Sequence, residues 1–226
     1  MMAWVFGLLA FLTAGESGST NKGLAYTDLS HNFGHVALDF TVIAEYPIFN
    51  EGAETYTIDS VRANCDCSHA FAIDTVLAPG DTTQVRLSFT TTNFFGPNNK
   101  QLVVYTSDPD HPKMTFFYLA TVGQWLKGLK PDPVSLFFLP PHKSKSISLT
   151  NNGFSRIELA FAGTPDSLFD VNITSDLARR GEQVSAEIVP FADLSAGTYL
   201  TNARFQVTVP EQEPVFLTIP VKIVRY

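Results

Sequence analysis

The sequence has little charge, little sulfur and no long basic run. Only 16% of its 226 residues are charged, and the formal charge of -7 comes with no block of Lys or Arg. Such a chain lacks the positive footprint that a phosphate backbone or an anionic membrane surface requires, so neither is an expected partner. A sustained apolar repeat of three to four residues is missing as well, which argues against helices. The longest apolar run, Ala3 to Leu12, is shorter than the roughly 20 residues that span a bilayer. No cysteine follows that run, so lipid attachment there is not expected. The serine-hydrolase elbow is lacking too: Ser17 in Gly15-Glu16-Ser17-Gly18-Ser19 fails the pattern at its last position. No other set of side chains supports turnover, and the chain reads as a non-enzyme.

What is present suits a strand-rich protein. The apolar share is 45%, with 19 Phe, 14 Gly and 14 Pro; aromatics fill sheets, and Gly and Pro punctuate turns. Residues 1-15 read as an export signal, with an uncleaved anchor or a buried first element as alternatives. Small polar residues 16-25 read as a tether. Beyond them, short apolar runs alternate with turn signals. Gln84 to Thr90 is strictly alternating, so Val85, Leu87 and Phe89 should face a core; Phe205, Val207 and Val209 repeat the pattern. Further strands are expected at 40-43 with 47-49, 56-61, 100-106, 114-122, 135-139, 146-150, 156-161, 184-189 and 215-224.

Gly52 and Gly153, Gly80 and Gly181, and Gly96 and Gly197 each stand 101 residues apart in matching contexts. The repeat predicts an all-β protein of two tandem immunoglobulin-like β-sandwich domains, at 26-123 and 132-226, joined by the linker 124-131. The counterparts of Cys65 and Cys67 are Asp166 and Leu168, so the second unit does without the cysteines.

Those two cysteines are the one place where chemistry beyond packing is indicated. Cys65, Cys67 and His69 alternate, so an extended strand would project all three from one face and offer a soft ligand set for copper or zinc, with His31 or His35 as a further donor. A disulfide between Cys65 and Cys67 needs a bend at Asp66 and would suit thiol exchange. Two inert half-buried side chains are the third alternative. His31, His35, His111 and His142 read as exposed loop residues. Asp108 to Pro112 reads as a turn rather than a calcium loop, and Asn172-Ile173-Thr174 has the N-glycosylation pattern. In Phe94-Phe95-Gly96-Pro97-Asn98 two adjacent aromatics cannot both point inward, so Phe94, Phe95 and Asn98 mark a candidate interaction loop. Val215 to Tyr226 should be a paired strand; left unpaired, it would invite strand addition.

Residues 28-123 carry a set of short motifs: Asn32-Phe33-Gly34-His35-Val36, Phe49-Asn50-Glu51-Gly52, Ile58 and Val61 before Cys65-Asp66-Cys67, Leu77-Ala78-Pro79-Gly80-Asp81, Gly96, Lys100 and Ser107-Asp108-Pro109. Together they resemble the bacterial family catalogued as domain of unknown function 1573, an immunoglobulin-like sandwich related in shape to major sperm protein domains. Asp66 and Ser68 depart from the Gly and Thr usual there. The resemblance implies an exported, all-β, non-enzymatic domain and no particular activity.

The expected protein is thus an exported structural, adhesive or assembly subunit in the periplasm, at the cell surface or outside the cell. It would bind a protein or glycan partner at the envelope without a cofactor, as a free unit or within a larger assembly. The alternative is a thiol-redox or copper- or zinc-binding module built on Cys65 and Cys67.

Overall fold

The computed structural model describes residues 23-226 apart from 127 and 142. The expected export signal and most of the tether lie outside the described residues. Among the described residues all regular structure is β. The alternating runs set the pattern: Val85, Leu87 and Phe89 of β7 (Thr82–Thr90) are fully buried, as are Ala203, Phe205 and Val207 of β17 (Gly197–Thr208).

In the first half, β1 (Leu24–Tyr26), β3 (Thr41–Asn50), β7 and β5 (Ser68–Ala72) form one sheet in the order β1-β3-β7-β5. It faces β2 (Ser30–Val36), β9 (Lys113–Val122), β8 (Gly96–Thr106), β4 (Tyr56–Ala63) and β6 (Val76–Leu77). The second half repeats the plan. There β10 (Pro131–Asp132), β12 (Lys145–Thr150), β16 (Gln183–Pro190) and β14 (Phe169–Ser175) face β15 (Leu177–Arg179), β13 (Arg156–Gly163), β17 and β18 (Val215–Arg225), with β11 (Leu136–Phe138) parallel to β18. Each half encloses its own apolar core. Tyr46, Phe89, Phe116 and Tyr118 fill the first, and Phe138, Phe205, Ile188 and Ile219 the second. Each such side chain stabilises the fold by about 1.5–3 kcal/mol.

The two halves are not beads on a string. β18 pairs in parallel with β2, Leu217 opposite His35 and Thr218 opposite Val36, and so joins the facing sheets into one sheet of ten strands. Pairing on both sides therefore leaves β18 no free edge here, and the strand-addition alternative for 215-226 falls away.

The glycine repeat has a structural counterpart in two buried asparagines. The Asn50 amide donates to the carbonyls of Glu54 and Leu77, at 2.7 and 2.9 Å, while the Asn50 carbonyl accepts from Gly80 N–H at 2.9 Å. At the same offset of 101, Asn151 donates to Ala178 at 3.1 Å and accepts from Gly181 N–H at 2.7 Å. Gly80 and Gly181 have φ of 86° and 87°, the left-handed conformation in which a Cβ is strained.

Several sequence expectations need correction. The fold begins inside the expected tether, because Leu24 is buried in the first core. Leu129, in the expected linker, is fully buried in the second core, and β10 begins at Pro131. The strands expected at 40-43 and 47-49 are one strand, since Pro47 sits mid-β3 opposite Gln84 without interrupting the pairing. β2, β5 and β14 were not expected from the sequence at all.

Candidate functional site

The chain from β4 to β5 turns at residues 64-67, and a disulfide joins Cys65 to Cys67 with their Cα atoms 5.1 Å apart. The turn is held locally. Ser68 N–H donates to the Cys65 carbonyl at 3.0 Å, Cys67 N–H lies 3.2 Å from Cys65 Sγ, and Thr90 N–H donates to the Cys67 carbonyl at 2.9 Å. Cys67 packs against the first core, and the Ser68 hydroxyl shares a 2.8 Å hydrogen bond with Tyr118 OH. The bend required at Asp66 is present. Its presence corrects the one-face expectation: strand β5 starts only at Ser68, so Cys65, Cys67 and His69 do not alternate along an extended segment. With the sulfurs bonded to each other, neither is a thiolate, and the expected copper or zinc ligand set is not assembled in this oxidised form. His69 is exposed beside Phe71, with ring centroids 5.7 Å apart. Among the described residues no group of three or more His, Cys, Asp or Glu side chains is placed to hold a metal ion.

The other expected residues separate. Phe94 turns inward onto Phe89, with centroids 5.5 Å apart, and Lys100 Nζ lies 4.5 Å above its ring. Phe95 turns out and is 68% exposed. Asn98 is occupied locally, donating to the Gly96 carbonyl at 2.8 Å. Phe95 and Leu38 both crowd Gly123, so these two exposed apolar side chains are neighbours. The histidines are not free loop residues. His35 Nδ1 bonds the Gln124 carbonyl at 2.8 Å, His111 Nδ1 lies 3.0 Å from Asp108 Oδ2, and His31 is half-buried between the two halves; His142 lies outside the described residues. Both oxygens of buried Asp108 are taken by N–H donors from Leu24, Asp110 and His111, which supports the turn at 108-112.

A second site, unforeseen in the sequence, lies where the halves meet. Gly34, with φ 68°, lets β2 lie so close to β18 that a Cβ there would sit 2.0 Å from the Phe216 carbonyl oxygen. Thr218 Oγ1 donates to the Phe33 carbonyl at 2.6 Å, and Ile43 N–H donates to Asn202 Oδ1 at 2.6 Å, both buried. Arg86 reaches Asp166 with two nitrogens, at 2.6 and 2.7 Å, and Glu45 with one at 2.5 Å. Its guanidinium is held above its ordinary pKa chiefly by the hydrogen bonds it donates to Asp166. Burial, and next the charge of Asp166, raise Glu45 above the usual carboxylate range against the pull of Arg86. Asp166, the counterpart of Cys65, thus serves the junction.

At this junction β3 of the first half crosses β17 of the second, and a hollow lies at each end of the crossing. One, of about 320 Å³, is lined mainly by Phe40, Leu136, Phe137, Leu200, Pro220 and Val221. Asp39 and Lys222 flank it, and Lys222 Nζ lies 5.4 Å from the centre of the Phe137 ring. Lys145 Nζ donates to the Phe137 carbonyl at 2.5 Å but lies over the neighbouring Phe138 ring, 5.5 Å from its centre, so Lys222 alone attends the exposed Phe137 ring. The other hollow, of about 270 Å³, is the more polar of the two and is lined by residues that include His31, Glu45, Gln84, Asn202 and Arg204. Contacts between residues scores of positions apart leave no local sequence signal, which is why sequence reading missed them.

Residues 24–119 match the family model described as protein of unknown function (DUF1573). The match lies within the first half of the chain. The comparison with curated proteins found no match. Among solved structures, the chain is similar to the VesB protease of Vibrio cholerae at 13% identity and a TM-score of 0.37, over 44% of this chain and 32% of that one. It therefore spans about a third of that protease. It is similar to the ASH/PapD-like domain 7 of human CEP192 at 11% identity and TM-score 0.40, covering 56% of this chain and 100% of that one. A protein of unknown function from Porphyromonas gingivalis W83 gives 10% identity and TM-score 0.36, over 88% and 99% of the two chains.

Proposed function

We propose that this protein is an exported, non-catalytic envelope subunit that acts by binding a partner protein at the apolar hollow where its two halves meet. The observation that carries the reading is that this hollow is built from both halves. Asp39, Phe40 and Thr41 form one wall; Leu136, Phe137 and Leu200 form the other. A surface assembled that way is fixed before the partner arrives, so little ordering entropy is lost on binding. Phe137, 44% exposed, and Leu200, 45% exposed, offer apolar anchors, and Lys222 over the Phe137 ring favours an apolar segment flanked by Asp or Glu.

The test is chemical cross-linking in the protein's own cells, comparing the natural chain with Phe137→Ser combined with Leu200→Ser. Loss of a discrete cross-linked species by the double variant, with its folding intact, is the expected result; an unchanged species would overturn the reading. The rival reading, a thiol-exchange module, is favoured by one observation, the half-buried bridge between residues two apart. If Cys65→Ser with Cys67→Ser leaves association and cell phenotype unchanged, that rival falls.

A further inference from the structure

The polar hollow at the other end of the crossing has a different chemistry. Three covered polar atoms among its lining residues lack a hydrogen-bond partner: Nε2 of His31, Oε1 of Gln84 and Nε of Arg204. They come from β2, β7 and β17, on both halves. A buried polar atom left unpaired loses its hydration with nothing in return, so folded proteins rarely tolerate one without a use for it, and three around a single hollow call for a common explanation.

We propose that this hollow binds an uncharged sugar residue of a glycan. The unpaired atoms are an acceptor on Gln84, a donor on Arg204, and a ring nitrogen on His31 that plays either part according to its tautomer. A hydroxyl group both donates and accepts, and a sugar ring presents several on adjacent carbons, so one ligand can serve all three after small side-chain rotations. The charges around the hollow balance. Arg86 is held by Glu45 and Asp166, and Arg204 stacks on Phe216, 3.7 Å from the ring centre, without a carboxylate of its own. Two guanidinium groups and two carboxylates give an anion or a cation no net advantage. Burial and then the nearby charge of Arg204 lower His31 to about 4, so its ring is neutral at physiological pH. Ala44, Pro47, Ala162 and Pro165 supply apolar wall for the C–H faces of a ring. An adjoining hollow of about 330 Å³ shares His31, Glu45, Pro47 and Arg204 and adds Asp28, Asn32 and Tyr46, so its one further charge is a carboxylate, itself an acceptor for sugar hydroxyls. That continuity suits a chain of sugars better than a lone monosaccharide. The site stands on atoms other than those of the apolar hollow and does not depend on the protein-binding reading.

The experiment is NMR titration of the full chain, following the His31 ring, with methyl glycosides of glucose, mannose, galactose and N-acetylglucosamine and their trisaccharides. Sodium acetate and methylammonium serve as charged controls. At least one neutral glycoside should shift His31 saturably with a dissociation constant of about 10 mM or tighter. Gln84→Ala and Arg204→Met should each weaken that binding about tenfold, the loss of roughly one hydrogen bond, while Leu200→Ser leaves it unchanged. Should Arg204→Met fail to fold, Gln84→Ala decides alone. No saturable shift with any glycoside, binding indifferent to Gln84→Ala, or preferential binding of acetate would each overturn the proposal.

Discussion

Gly34→Ala tests whether the two halves are joined through the backbone. Two effects add at this position. With φ at 68°, an alanine pays about 1–2 kcal/mol for the left-handed conformation. Its Cβ would also lie 2.0 Å from the Phe216 carbonyl oxygen, a backbone atom that moves only if β18 moves. Relieving that overlap separates β2 from β18 and endangers the parallel pairing at residues 217 and 218 and the buried Thr218 to Phe33 hydrogen bond of 2.6 Å. The expected loss is about 3–4 kcal/mol. Gly80→Ala is the control, because Gly80 has φ 86° but nothing within 4 Å of an added Cβ, so it should lose only the conformational part, about 1–2 kcal/mol. Urea unfolding followed by linear extrapolation measures both. Gly34→Ala should also split the transition in two as the halves uncouple. Equal losses for the two variants, within about 0.5 kcal/mol, would refute the reasoning.

Arg86→Ala leaves the Glu45 and Asp166 carboxylates facing each other without a cation and should cost about 2–3 kcal/mol in the same unfolding assay, after allowance for the partial exposure of the cluster. A loss under about 0.5 kcal/mol would show the cluster to be solvated. Acid should destabilise the protein in two stages. His31 takes up its proton at 6.5 when unfolded but at about 4 when folded, so its contribution is intact above 6.5 and declines as pH falls towards 4; His31→Gln should flatten the melting temperature in that window. Burial alone would raise Asp108, but its bonds from Leu24, Asp110 and His111 outweigh it and hold the carboxyl below the usual range. Its contribution is therefore present above the unfolded carboxylate pKa and lost as pH falls through the folded one. Cys65→Ser with Cys67→Ser opens a very short loop and should cost about 1.5 kcal/mol by the loop-closure relation, read as a shift of the urea midpoint; a loss above about 3 kcal/mol would mean that the bridge organises β5 as well.

The strands legible in the sequence are those whose inward positions are large and apolar. Val85, Leu87 and Phe89 alternate with Gln84, Arg86 and Ser88, and nothing but a half-buried strand fits that pattern. β5 was illegible because its inward residues are Ala70 and Ala72, too small to stand out, while Phe71 faces outward. β2 was hidden by its polar run Ser30-His31-Asn32 and by the irregularity between Asn32 and Gly34 that its pairing with β9 requires. Asn50 and Asn151 looked like ordinary turn residues beside a glycine, yet they are 2% and 0% exposed and bind the same carbonyl positions in both halves. The bend at the cysteines was recognisable as a condition for a bridge, and the exposure of one of two adjacent phenylalanines followed from strand geometry. The junction was not recognisable, because Arg86 to Asp166, Ile43 to Asn202 and Phe33 to Thr218 join residues 80, 159 and 185 positions apart.

The composition of that junction decides how the molecule should open. The two apolar cores share no residue, one being drawn from 24-122 and the other from 129-223. Parting the halves would therefore wet hydrogen-bonded and charged groups such as Asn202, Thr218, Arg86 and Asp166, with a few apolar side chains such as Ile43 that belong to neither core, while leaving both cores closed. Hydrated polar groups recover most of what they lose, whereas opened cores do not. The junction should then be the least stable cooperative boundary in the molecule. Native-state hydrogen exchange reads this directly. The Ile43 amide, bonded across the junction to Asn202, should exchange through a smaller opening than the amide of Leu87, which lies in the centre of β7 with its side chain in the first core. Equal protection of the two amides would mean that the junction and the first core open together, and the hollows at the crossing would then persist for as long as the core does.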